Sequence, residues 1–109
     1  MIRVTALYPN KPGSRFDIDY YLNEHVPMVM ERLGDACKGF SLDEGLADLT
    51  PPGTVTYRVI VHWLFESMEA FLAAFNPQAE AIGEDFPNFT DLEPIIQVGK
   101  VRSEIRGQH

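Results

Sequence analysis

Thr56-Tyr57-Arg58-Val59-Ile60-Val61-His62-Trp63-Leu64-Phe65 is the stretch on which the fold turns. It is dense in β-branched and aromatic residues, which suit a pleated, half-buried surface, so residues 55–65 read as the strongest strand of the chain. Successive side chains of a strand point to opposite faces. One face carries Tyr57, Val59, Val61, Trp63 and Phe65 and should pack under helices. The other carries Thr56, Arg58, Ile60, His62 and Leu64, too apolar for a fully solvated face and yet provided with three polar groups.

Working outward, residues 48–54 hold Pro51, Pro52 and Gly53 and read as a turn, and residues 36–47 read as a second strand weakened by Gly39 and Gly45. After the strong strand, Ser67 is placed to cap a helix whose Met68, Phe71, Leu72 and Phe75 recur at three- and four-residue spacing, until Asn76-Pro77 interrupts it. Residues 95–101 form a last strand. At the other end, residues 2–8 form a strand that stops at the Pro9-Asn10-Lys11-Pro12-Gly13 loop. A first helix follows, capped by Asp17 and stopped by Gly34. Pro27 lies inside it, where a missing amide hydrogen and ring crowding predict a kink or break just after His25.

The order is β-α-β-β-α-β over residues 1–109, one α+β domain of ferredoxin-like type with two helices on one face of a four-stranded antiparallel sheet. The first and last strands repeat the mixed character of the uncovered face, through Arg3, Thr5 and Leu7 and through Ile95, Gln97 and Val101. A surface of this kind suits a cavity wall, and a monomer would leave it bare. Two chains are therefore expected to close their sheets into one barrel as a homodimer.

Composition removes several function classes. A 109-residue chain can build one two-layer core, and a charge of −7 with scattered basic residues repels nucleic acid. One cysteine, Cys37, fits a reducing compartment. No stretch approaches the roughly 20 apolar residues of a membrane helix, and no secretion signal opens the chain, so the expected location is cytoplasmic. Zinc-ligand spacing, a phosphate loop and a nucleophile elbow are all missing, so no metal and no cofactor are expected. A haem-binding barrel would need an axial histidine and basic partners for the propionates, which the acidic balance disfavours. Glu80, Glu84 and Asp85 read as a solvated helix face.

The candidates that remain are His25, His62 and Tyr21 for catalysis, and Arg58, Thr56, Thr5, Leu7, Ile60 and Gln97 for ligand binding. An imidazole can remove a proton beside a carbonyl, while a tyrosine hydroxyl or Arg58 stabilises the enolate. Each has a plainer reading. His25 could cap carbonyls freed by Pro27, His62 could be a satisfied core histidine, and the Tyr20-Tyr21 pair could be packing alone.

Val4-Thr5-Ala6-Leu7-Tyr8-Pro9-Asn10, Arg15-Phe16-Asp17, Tyr20-Tyr21, His25-Val26-Pro27, Asn88-Phe89-Thr90-Asp91-Leu92 and Pro94-Ile95-Ile96-Gln97-Val98 together resemble the EthD family, over nearly the whole chain. The resemblance implies the dimeric α+β-barrel group and places the family's histidine at His25, with Pro27 two residues on. It also implies a bacterial catabolic setting, because the family's namesake is associated with degradation of a fuel ether beside an oxidising system. Related barrels include polyketide cyclases, lactone isomerases and cofactor-free monooxygenases, all holding a small, largely apolar ligand. Three functions stay open on this basis: a cofactor-free enzyme acting on a small apolar or aromatic metabolite, a non-catalytic ligand-binding protein, and a structural barrel with a filled interior.

Overall fold

The computed structural model describes residues 1–105 and 107. Strand β1 (Ile2–Pro9) leads through the proline-rich loop to α1 (Ile18–Tyr20), where the Asp17 carboxylate accepts the Tyr20 amide at 3.0 Å and supplies the expected cap. The helix does not break at Pro27. A π turn over Tyr21–His25 joins α1 to α2 (Val26–Leu33), and the Val26 amide bonds to the Tyr21 carbonyl five residues back. The wider turn loosens the spacing where Pro27 would otherwise leave a bond unmade, so the proline is absorbed rather than expelled. Gly34 stops the helix at φ 59°, a conformation that costs glycine nothing.

Strand β2 (Gly39–Glu44) is shorter than its sequence suggests. The turn segment closes a two-rung hairpin of β3 (Asp48–Leu49) and β4 (Pro52–Gly53). Strand β5 (Tyr57–Phe65) follows, and then α3 (Met68–Phe75), with Ser67 Oγ accepting the Ala70 amide at 3.0 Å. Asn76–Gln78 forms a 3-10 turn where Pro77 interrupts the helix, α4 (Ala79–Glu84) continues beyond it, and β6 (Ile95–Lys100) ends the sheet.

The sheet order is β2-β5-β1-β6, antiparallel throughout. Alternation along β5 holds as the sequence implies: Val59, Val61 and Phe65 are buried on the helix side with Val4, Ala6 and Tyr8 of β1. The register sets Thr5 between His62 and Gln97 in one row across the bare face. The core divides into an aromatic part around Tyr8, Phe16, Tyr21 and Phe89, and a part around Val29, Leu33, Phe65 and Ile82. Among the described residues no helix is long and apolar enough to cross a membrane.

Candidate functional site

Tyr21 and His25 stand at the two ends of the π turn, which brings their rings to 5.0 Å between centroids on one side of the helix. That side faces the sheet. His25 is 2 % exposed and is wedged against Phe86 and Phe89. Its Nδ1 lies 2.8 Å from Asp85 Oδ2. The same carboxylate accepts the Tyr20 hydroxyl at 2.6 Å and the Asn88 side-chain amide at 2.9 Å, both on Oδ1.

Asp85 is therefore not a member of a solvated face, as its neighbours Glu80 and Glu84 suggested. It sits after the end of α4, at the entry to the 3-10 turn Phe86–Asn88 whose Pro87 fixes the chain direction. That turn is stitched to the start of the first helix. Asp17 N–H donates to the Phe89 carbonyl at 2.8 Å, the Arg15 guanidinium to the Pro87 carbonyl at 2.7 Å, and the Thr90 hydroxyl to the Arg15 carbonyl at 2.7 Å. The Arg15-Phe16-Asp17 and Asn88-Phe89-Thr90-Asp91 stretches are thus two halves of one clamp, and the clamp carries Asp85 to His25.

The protonation states follow from the surroundings. Burial, the largest influence on His25, disfavours its cation and lowers its pKa below the ordinary histidine value; the Asp85 hydrogen bond and charge oppose this without reversing it. Burial is also the largest single influence on Asp85 and acts to raise its pKa. The hydrogen bonds from Tyr20, Asn88 and His25 outweigh it and hold the carboxyl below its usual range. An ionised carboxylate only accepts, so the proton between the two groups belongs to His25 Nδ1 and the lone pair of the neutral ring to Nε2.

His25 Nε2 bonds to no described residue, and among the described residues no buried side-chain nitrogen or oxygen lacks a partner, so Nε2 reaches accessible space. That space is a cavity of about 420 Å³ between the sheet and the helices. Its walls are Val4, Ala6, Val29, Leu33, Phe65 and Ile82, with Phe71, Phe75 and Phe86 closing the helix side. Tyr8, Tyr21 and Trp63 add polar tips beside His25. Burial pushes the Tyr21 hydroxyl well above its usual pKa, the nearby Tyr8 adds to this and a hydrogen bond from Trp63 works against it; Tyr8 is raised by burial alone. Both hydroxyls remain neutral donors.

The remaining sequence candidates lie elsewhere. Thr5, Leu7, His62 and Gln97 surround a shallow depression on the bare face, with Arg3 and Lys100 at its rim. His62 Nδ1 is 3.1 Å from Thr5 Oγ1, and Nε2 is 3.6 Å from Asp43. Ile60 pairs with Leu7 on that face. Arg58 is drawn away to the Ser14 carbonyl at 2.8 Å and lines a separate cleft with Asn10 and Asp17. Thr56 precedes the strand and gives both its amide and its hydroxyl to Asp48. The expected chamber on the bare face is thus a depression within one chain, and the apolar cavity lies on the opposite face, open in part beside Leu72 and Ile96, because the phenylalanines of α3 and the 86–88 turn hold the helices off the sheet.

No group of three or more His, Cys, Asp or Glu among the described residues could hold a metal ion. Asp85, Tyr8 and Trp63 are the residues that sequence reasoning did not place at a site. For Asp85 a signal existed in Asp85-Phe86-Pro87-Asn88, an acidic residue ahead of a proline-fixed turn flanked by phenylalanines.

Known proteins agree with this architecture. The chain overlays an EthD-like protein from Ralstonia eutropha JMP134 with a TM-score of 0.89 and 35 % identity, over 95 % of this chain and 94 % of that one. An ethyl tert-butyl ether D family protein from Bacillus halodurans C-125 matches with a TM-score of 0.69 and 17 % identity, over 93 % and 98 % of the two chains. The fold also extends to the hydroxynitrile lyase of Passiflora edulis, at a TM-score of 0.58 and 11 % identity over 96 % and 97 %. No curated protein matches significantly. The EthD domain model matches residues 14–93, which span both halves of the clamp and the whole His25–Asp85 pair, and the chain belongs to the EthD domain family.

Proposed function

We propose that this protein is a cofactor-free enzyme that moves a proton on a small apolar or aromatic metabolite held in the cavity between helices and sheet. His25 is the base and Asp85 its positioning residue. The observation that carries this reading is a neutral, buried imidazole whose Nδ1 is fixed on a carboxylate while Nε2 is left free on an apolar cavity. A ring held in one tautomer presents its lone pair without reorganisation, and apolar walls strengthen its interaction with the charge that develops. The step is removal of a proton from carbon next to a carbonyl by Nε2, with return of a proton from the imidazolium to another position. Isomerisation is such a step, and an aldol ring closure begins with it, the enolate carbon then bonding to a second carbonyl carbon of the same molecule whose oxygen takes the proton back from the imidazolium.

A homodimer formed through the bare sheet face fits this reading, since Ile95 of the edge strand is 55 % exposed there and Leu7, Ile60 and Leu64 line the same open side. A degradative or secondary metabolic role in the cytoplasm is the setting that family membership favours. The alternative is a protein that binds and shields the same kind of molecule without turnover, favoured by the predominance of hydrocarbon in the cavity wall. A purely structural role is disfavoured by a helix-side cavity of about 420 Å³, within the usual range for small-molecule sites.

Deuterium exchange at the activated carbon of 2-tetralone separates the two readings, because it needs no knowledge of the natural substrate. Exchange faster in the presence of protein than in buffer, and lost in His25→Gln, is the enzyme's result. Binding of 2-tetralone with exchange at the buffer rate would reduce the protein to a carrier.

A further inference from the structure

The cavity has a polarity of its own that reaches beyond the base. Among the described residues no lysine or arginine lines it, and its only ionisable nitrogen is the neutral His25. An anionic ligand would surrender its hydration and meet no counter-charge, a cost that burial of an unpaired charge does not recover. Toward the end where His25 lies, two neutral donors gather on the same space, the hydroxyls of Tyr8 and Tyr21, and the Trp63 indole donates to the Tyr21 oxygen and so leaves that hydroxyl's own proton for a ligand.

Tyr8 enters from β1 and Tyr21 from the π turn, and the ring of Phe16 packs against both at centroid distances of 4.8 and 5.4 Å. The pair is thus fixed by packing from two different elements. Tyr8 is 1 % exposed and Tyr21 2 %, and the Tyr8 hydroxyl bonds to no described residue. Since no buried polar side-chain atom among the described residues is left unpartnered, that hydroxyl also opens onto the cavity. Away from the polar end, in the other part of the core, Phe65, Phe71 and Phe75 offer flat aromatic surface, and Phe86 joins it to His25.

We infer that the site takes an uncharged, flat aromatic ketone, its carbonyl oxygen held by the Tyr8 and Tyr21 hydroxyls and its rings against the phenylalanine wall. This rests on the reading of His25 as the base, and it adds the oxygen-binding half of the site. When Nε2 takes a proton from the carbon beside the carbonyl, the C–H electron pair moves into the new carbon–carbon double bond. The carbonyl π pair moves to oxygen, where the two phenols stabilise the enolate. No electron acceptor is required, and the proton stays on the imidazole until it is returned.

The test uses three probes that share one ring system: 2-acetylnaphthalene, 2-naphthoate and 2-ethylnaphthalene, titrated by calorimetry into wild type, Tyr8→Phe and Tyr21→Phe. The ketone should bind wild type at least about tenfold more tightly than the carboxylate, because the latter buries an unpaired charge. Each phenylalanine variant should lose about three- to tenfold for the ketone, the size of one neutral hydrogen bond, and leave 2-ethylnaphthalene unchanged. The hydrocarbon therefore reports that the cavity is intact in each variant. Equal binding of ketone and carboxylate would overturn the inference, as would an unchanged ratio of ketone to hydrocarbon affinity in both variants, or no binding of any probe by wild type. Ketone selectivity without 2-tetralone exchange would retain the ligand class and overturn only the catalytic reading.

Discussion

On the helix side of the sheet, His25 has a side chain 3 % exposed, one nitrogen on a carboxylate at 2.8 Å and the other on an apolar cavity; on the bare side, His62 is 29 % exposed, 3.1 Å from the Thr5 hydroxyl and 3.6 Å from Asp43. The two imidazoles differ in what their surroundings decide. Burial and a fixed acceptor leave His25 one charge state and one tautomer. Thr5 can donate to His62 or accept from it, so its ring can take either tautomer there, and Asp43 is beyond hydrogen-bond length. A histidine in an apolar strand is conspicuous in sequence, but what makes an imidazole a usable base is the group behind it.

The largest effect should therefore come from Asp85. Asp85→Asn preserves size and can still accept through its oxygen, yet it removes the charge that stabilises the imidazolium. Exchange of 2-tetralone should fall about 100-fold, in the range that positioned acid–base groups contribute. Affinity for 2-ethylnaphthalene should stay as it was, since Asp85 does not line the cavity. A rate within severalfold of wild type would show that His25 acts without its partner and would erase the distinction between the two histidines.

A smaller effect should appear in wild type as pH is lowered. The folded pKa of His25 lies below its ordinary value, so Nε2 stays unprotonated to lower pH than a free histidine, and the acid limb of the exchange rate should fall below about pH 6.5. Stability has the corresponding sign. The unfolded chain takes up this proton near its ordinary pKa while the folded chain resists, so the His25 contribution is intact above about pH 6.5 and declines as pH falls toward the folded pKa. Asp85, with its folded pKa depressed, contributes stability that is present above about pH 4 and is lost as pH falls through the folded value. Following the ring proton shifts of both histidines by NMR gives the comparison directly. A His25 midpoint above 6.5 would mean that the Asp85 charge dominates over burial, and the base would then be protonated near neutrality.

Much of this was legible in the sequence. Strand alternation in 57–65, the Asp17 and Ser67 caps and the Gly34 stop are local rules, and each is met in the structure. Alternation also tells which residues share a face. It does not tell how far the helices stand off that face, because the gap depends on side-chain volumes contributed by α3, the 86–88 turn and the first helix together. Sequence reasoning consequently favoured the bare face for the cavity and Arg58 and Thr56 as its residues, whereas local hydrogen bonds to Ser14 and Asp48 claim those side chains. Pro27 marked an irregularity correctly, but the outcome was a π turn rather than a break. Asp85 was the hardest to foresee. Its partner is 60 residues away, and the clamp that joins them is made of hydrogen bonds to main-chain carbonyls of irregular segments, two of them given by the Arg15 and Thr90 side chains.

The smallest effect is expected at His62. If the bare face is the seam of a homodimer, light scattering at micromolar concentration should give twice the 12.3 kDa chain mass, and a stable monomer there would remove the reason for that face to be so apolar. His62→Ala deletes one half-buried ring and its contact with Thr5, worth about 0.5–1.5 kcal/mol at most for a neutral hydrogen bond, so the melting point or the dimer should weaken slightly. The helix-side cavity is separated from His62 by the sheet itself, and Val61 and Trp63, its neighbours in the strand, point the other way. Exchange of 2-tetralone should accordingly stay within about twofold, as expected for sites with no shared partner. A loss comparable to that of Asp85→Asn would mean that chemistry spans the sheet or depends on an intact dimer, and the assignment of the reaction to the helix-side cavity alone would fail.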